Sequence, residues 1–273
     1  MRRNRVTLAA LVLFGLIVVV ALVGPLLPAS LMPDPLATDG AHALAAPSGL
    51  HWFGTDEVGR DIFARVVVAA RLDLTIALSA VAISFAIGST LGAASGFFGG
   101  LLDAVVTRLV DTLMAFPLFL LAMAIVSALG NDTANVVYAT AVVNLPFYIR
   151  MSRAEAARLR SAGFIEAART GGMGGVRLLA GHVYPNVLPP LAVQVSLNLG
   201  WAILNAAGLS FLGLGVRPPT PEWGIMVADG AALIVSGAWW VSVFPGAALM
   251  LTVLCFNLLG DGLRDIADVR TRE

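Results

Sequence analysis

Apolar runs of bilayer length fill most of the chain, separated by short segments rich in glycine, proline or charge. Runs at 6–27, 74–98, 112–129, 133–149 and 187–214, and a last one within 231–259, predict six membrane-crossing helices. The first follows Arg2, Arg3 and Arg5 and is longer than the apolar region of a cleaved signal peptide, so it is expected to be retained. Gly99-Gly100 and Gly130-Asn131-Asp132 punctuate the second and third runs. Pro117, Pro146 and Pro245 fall inside spans, where neighbouring helices satisfy the freed carbonyls. The predicted fold is all-α and polytopic. Its expected parts are an N-terminal transmembrane helix (1–28), an extracytoplasmic segment (29–73), a five-helix core (74–265) with a polar loop at 150–186, and a cytoplasmic tail (266–273).

Composition sharpens this reading. The 273 residues are 58% hydrophobic and only 12% charged, with a mean hydropathy of +0.87. Soluble domains carry about a quarter charged residues. The formal net charge is zero, so bulk charge gives no case for nucleic-acid binding. Cys255 is the sole cysteine, which rules out an internal disulfide or a cysteine metal cluster. Every basic residue is arginine, and their distribution orients the spans. Arg2, Arg3 and Arg5, Arg108, the arginines of the central loop, and Arg264, Arg270 and Arg272 fall on one side of the six-span topology. Only Arg60, Arg65, Arg71 and Arg217 fall on the other. The positive-inside rule therefore predicts cytoplasmic termini and a cytoplasmic central loop.

That loop carries Arg150, Arg153, Arg158, Arg160, Arg169 and Arg177 against Glu155 and Glu166. Helix formers from Gly163 to Thr170 stop at Gly171-Gly172, and a short apolar-basic stretch after Gly174-Gly175 runs to Pro185. The pattern predicts two short helices joined by a glycine turn, ended by a proline that cannot continue a helix. Ala167 and Ala168 together would give a face with little bulk, open to close approach by a partner.

Glu166-Ala167-Ala168, then three intervening residues, Gly172 and later Pro185, resembles the "EAA" loop of permease subunits of ATP-driven importers. Glu155-Ala156-Ala157 lacks the matching glycine spacing, and His182-Val183-Tyr184-Pro185 departs from the family's Ile-x-Leu-Pro. Three further segments resemble the second, C-type permease of dipeptide, oligopeptide and nickel importers. They are Gly54-Thr55-Asp56-Glu57-Val58-Gly59-Arg60-Asp61, the stretch from Ser210-Phe211-Leu212-Gly213 to Pro221-Glu222-Trp223-Gly224, and Asn257-Leu258-Leu259-Gly260-Asp261-Gly262-Leu263-Arg264-Asp265. The resemblance implies a non-enzymatic transport subunit in the cell membrane. It implies pairing with a second homologous permease, two ATPase subunits that hold ATP and Mg, and an extracytoplasmic substrate-binding protein; no cofactor is expected in this chain. It also implies alternating access driven through the coupling loop. On that reading Phe164, Glu166, Ala167, Ala168, Arg169 and Gly172 dock the ATPase, with Glu166 and Arg169 as polar anchors and Gly172 as the turn.

Other features fit structural roles as well as functional ones. Thr55 is placed to cap a helix with Asp56 and Glu57 in its first turn, and Asp56–Arg60 and Asp61–Arg65 have i,i+4 pair spacing. Those arginine partners argue against a metal site built from His51, Asp56, Glu57 and Asp61. Pro218, Pro219 and Pro221 stiffen an outer loop, either as a docking ledge or as a plain connector. Trp239 and Trp240 sit where interfacial aromatics belong. Asp261, Arg264, Asp265 and Asp268 are expected to tie the tail by ion pairs. Asn144, Gln194, Asn198, Asn205 and Asn257 are polar residues within spans, serving either a translocation pathway or interhelical hydrogen bonding. Asp73, Asp103, Asp111, Asp229 and Asp261 fall near expected helix ends, so no span carries a central ionisable group of the kind a secondary carrier uses. Gly208-Leu209-Ser210-Phe211-Leu212-Gly213 is not a nucleophile elbow and no histidine lies in a span, which weighs against a membrane-embedded hydrolase. Peptides are the expected cargo, with nickel or haem as alternatives.

Overall fold

The structure is a computed structural model that describes residues 2–28 and 32–270, with side chains described for 5–28 and 32–265. Much of the tail at 266–273, including the expected ion pairs of Asp268, lies outside the described side chains. The elements are helices: α1 (Arg2–Val23), α2 (Ile62–Phe98), α3 (Gly100–Met114), α4 (Leu118–Leu129), α5 (Thr133–Leu159), α6 (Gly163–Thr170), α7 (Gly175–Leu178), α8 (Tyr184–Phe211), α9 (Trp223–Ala231) and α10 (Trp240–Arg270).

Among the described residues four stretches are long and apolar enough to cross a membrane: Arg5–Leu26, Ile62–Phe98, Gly175–Phe211 and Trp240–Asp265. The pair α3 and α4 makes a fifth candidate, bent by 90°. α5, at 27 residues, is about 40 Å long. It is diluted by Asn135, Asn144, Pro146 and Arg150, and buries Val136, Ala139, Val143, Tyr148 and Ile149 against other helices instead.

α2 and α5 form the central contact of the molecule, with α8 packed on both and α10 on α8. Their close approach has a local cause. Gly88, Gly92 and Gly96 recur every fourth residue on α2 and lie against α5; a Cβ at Gly92 would overlap the Ile149 carbonyl and the Ser152 hydroxyl, and one at Gly96 the Arg153 carbonyl. Glycines let the two backbones meet there. α1 packs on α10, where the Cys255 thiol donates to the Ala10 carbonyl at 3.3 Å.

Several expectations are corrected. The single span at 112–129 is two helices, because Pro117 has no amide to give and disfavours helical geometry at Phe116. The expected link at 101–111 is itself helical, burying Val106 and Val110. α2 begins at Ile62 rather than residue 74, which puts Asp73 well inside the helix and buried, not near its end. Pro185 does not stop a helix. Leu179–Val183 is a π turn in which the Tyr184 amide reaches back to the Leu179 carbonyl, so the helix widens just before the proline and runs on through α8. The connector expected at 216–230 contains α9.

At the other end of α2, Thr55 is not a cap. Its hydroxyl donates to the His42 carbonyl and accepts from the Ala45 amide at 2.8 Å, while Asp61 caps α2 by accepting from the Ala64 amide at 2.9 Å. The Asp56–Arg60 pair forms at 2.6 Å. The Asp61–Arg65 pair does not: Asp61 meets His51 Nδ1 at 2.9 Å, and Arg65, 2% exposed, turns to Asp56 at 3.8 Å. Arg65 Nη1 also donates to the carbonyls of Pro35, at 3.2 Å, and Pro219, at 3.4 Å, tying the 32–60 segment to the proline loop. Trp240 is buried rather than interfacial, its Nε1 donating to the Thr55 carbonyl at 3.1 Å, whereas Trp239 is exposed.

Candidate functional site

Residues 163–170 form the short amphipathic helix α6, set between the end of α5 and the start of α7. Glu166 in its first turn and Arg169 in its last turn complement the helix dipole. Its end is fixed by Gly172, whose φ of 85° suits glycine, and by the Met173 amide reaching back to the Ala168 carbonyl at 3.1 Å. Nothing lies within 4 Å of a Cβ built on Gly172, so that site faces open space.

One side chain holds α6 to the chain. Ile165 is fully buried in the main hydrophobic core, and α6 packs on α7, whose Gly175 lies against Phe98 and Phe97 at the end of α2. Phe164, Glu166, Ala167 and Arg169 are exposed. Ala168 is half-buried and packs against this chain's own core, so Ala167 and Ala168 do not form one outward face. Consecutive helical residues point about 100° apart, which is why two adjacent alanines divide between inside and outside. What α6 presents is therefore an exposed aromatic ring, a carboxylate, a methyl group and a guanidinium, beside a glycine turn.

The arginines upstream are not part of that surface. Arg150 and Arg153 lie on α5 and pair with α3: Arg150 Nη2 with Asp111 at 3.1 Å, and Arg153 Nη2 with Asp103 at 2.7 Å. Ser95 donates to the same Asp103 at 2.7 Å, so α2, α3 and α5 are joined at one point. Arg158 pairs with Glu155 at 2.9 Å. Sequence reasoning missed this bracket, although Asp103 and Asp111, eight residues apart on α3, give two turns of one face.

The polar residues within the spans differ in burial and in how far their hydrogen bonds are met. Asn144 is buried on α5, donating to the Thr140 carbonyl at 3.1 Å while its Oδ1 has no donor. Gln194 donates to Asn198 at 2.8 Å, and Asn198, beside the Tyr148 hydroxyl, keeps an unmatched Nδ2. Asn205 is buried with neither amide atom matched. Asn257 is exposed on α10, near Gly200 of α8. No group of three or more His, Cys, Asp or Glu among the described residues has the arrangement to hold a metal ion. His51 and Asp61 are committed to each other.

Residues 88–273 match the family model described as "Binding-protein-dependent transport system inner membrane component". The chain is 42% identical over 272 residues to the dipeptide transport system permease protein DppC of Alkalihalophilus pseudofirmus, covering 100% of this chain and 88% of that one. It is 46% identical over 235 residues to the probable D,D-dipeptide transport system permease protein DdpC of Escherichia coli, 86% of this chain and 78% of the other. It is also 42% identical over 226 residues to the glutathione transport system permease protein GsiD of Pectobacterium atrosepticum, 83% and 75% of the two chains.

Proposed function

From the premise that the chain belongs to the binding-protein-dependent transport system inner membrane component family, we propose that it carries dipeptides or oligopeptides inward by alternating access, powered by ATPase partners. As a permease it is a transport subunit and not an enzyme. The full reading adds α5 as the sixth crossing, both termini in the cytoplasm, and the parts 1–28, 29–73, 74–265 and 266–273. Two ATPase subunits holding ATP and Mg, a second homologous permease and an extracytoplasmic binding protein complete the importer, which sits in membrane lipid.

The observation that carries the proposal is α6. It is anchored on one side by Ile165 and offers Phe164, Glu166, Ala167 and Arg169 on the other, ending at Gly172. A helix fixed inside and free outside transmits a push without unfolding. Closure of the ATPases on ATP moves α6, and its chain connection to α5 and its packing on α7 turn that motion into a rearrangement of the bundle. Phe164 fills an apolar hollow of the ATPase, Glu166 and Arg169 hold it by charge, Ala167 admits close approach, and Ala168 tightens the inner anchor. Asn144, Gln194, Asn198, Asn205 and Asn257 contribute hydrogen bonds to the pathway once the packed helices separate.

Gly172→Asp tests the coupling. It forces a side chain into a left-handed backbone position and adds a like charge near Glu166, while meeting no neighbour. In reconstituted importer, peptide uptake is expected to fall at least tenfold while membrane insertion and complex assembly persist; undiminished uptake overturns the proposal. Cargo is tested by offering labelled dipeptides, longer peptides, nickel and haem to the same complex. Glutathione belongs in that panel as a second reading, because GsiD shares with this chain, over 226 residues, the same 42% identity that DppC shows over 272.

A further inference from the structure

α9 is held against α2 through two carboxyl groups. Asp73 of α2 and Glu222, the residue that caps α9, are 4% and 0% exposed, and their carboxyl groups face each other. Asp73 Oδ2 accepts from the Trp223 amide at 3.1 Å, and a Glu222 oxygen, Oε2, accepts from the Ile225 amide at 2.8 Å. The Trp223 indole completes the joint by donating to the Val66 carbonyl at 3.0 Å. Glu222 Oε1 is buried and makes no hydrogen bond of good geometry, with the Ser210 hydroxyl and the Gly224 amide nearby.

Among the described residues no cation offsets the pair. The charge acting on Asp73 is that of Glu222, and what faces Glu222 is Asp73, the Gly224 and Ile225 amides and the Ser210 hydroxyl of α8. The basic groups at this end of α2 are engaged or turned away: Arg65 interacts with Asp56, Arg60 and Asp229, and Arg71 is exposed. Asp229, the other acid of α9, interacts with Arg60, Arg65, Asp56 and Glu57. Two buried carboxyl groups facing each other with no cation do not both stay ionised, and a proton shared between them supplies the hydrogen bond that two carboxylates cannot make.

We propose that Asp73 and Glu222 form a proton-binding site whose single shared proton latches α9 to α2, and whose loss releases the start of α9. The inference is independent of the cargo and of the coupling role of α6.

Burial pushes the Glu222 carboxyl above the usual carboxylate range. The sign follows: the closed latch holds the proton more tightly than the opened one, so closure is favoured at low pH. It is lost as pH rises through the closed pair's titration, by about tenfold in the closed-to-open ratio per pH unit for one proton.

The test is hydrogen exchange of the 223–231 amides in the assembled transporter in lipid nanodiscs, corrected for the intrinsic pH dependence of exchange. Protection of these amides is expected to fall up to tenfold per pH unit in the wild type. In the double variant Asp73→Asn/Glu222→Gln, which keeps donors and acceptors at the joint but removes both of its titrating groups, it is expected to stay flat. A flat wild type, or a double variant that keeps the wild-type slope, overturns the proposal. Should the double variant fail to assemble, infrared titration of the wild type decides. A carboxylic acid band that converts to carboxylate only above the range of exposed acids supports the site, and its absence overturns it.

Discussion

A single methyl group probes how α2 meets α5. At Gly96 an added Cβ would overlap the Arg153 carbonyl and backbone, which cannot swing aside as a side chain can. Gly96→Ala is therefore expected to push the helices apart and cost about 1–3 kcal/mol, read as a lowered melting temperature in detergent. Gly15→Ala, where nothing lies within 4 Å, leaves it unchanged. The spacing of Gly88, Gly92 and Gly96 was visible in the sequence, but not the helix they would meet. The charges near Asp61 teach the same lesson. Local spacing offered Arg65 as its partner; His51 reached it instead, because α2 starts at Ile62 and Arg65 is drawn toward Asp56 and the proline loop.

At the scale of one element, α6 was legible as a helix stopped by glycine, because helix formers and a glycine pair are local signals. Which residues face out was not legible. The buried anchor, Ile165, is an ordinary apolar residue in sequence, and only its burial in the main hydrophobic core reveals its role. Ile165→Ala should cost about 2–5 kcal/mol of local packing while leaving the exposed face of α6 intact. Faster hydrogen exchange across 163–170 with α5 unchanged is the expected readout; unchanged exchange would show that α6 is held by something else. α8 shows the opposite failure. Pro185 argued for a break, yet the helix continues through it and on through Pro189 and Pro190, because the π turn before Pro185 removes the demand for its missing amide. The break came at Pro117, where no such widening occurs.

Taken whole, the molecule has two polar ends joined by α2. At one end Asp56, Arg60, His51, Asp61 and Arg65 lock the 32–60 segment onto the start of α2. At the other, Ser95 and the Asp103–Arg153 pair join α2, α3 and α5, and Phe97 and Phe98 lie against Gly175 of α7. The 37 residues of α2 extend about 55 Å, more than the roughly 30 Å of bilayer hydrocarbon, so the two ends fall on opposite sides of a membrane. Arginine bias in the sequence assigns the α6 end to the cytoplasm, and the fold makes that assignment a single either-or question for the whole chain. In a Cys255→Ser background, Glu166→Cys is expected to react in intact cells with a membrane-permeant thiol reagent and to resist an impermeant one. Leu50→Cys, at an 81% exposed position of the opposite end, should react with both. If the pattern is reversed, α6 faces away from ATP, and no coupling through Phe164, Glu166 or Arg169 survives.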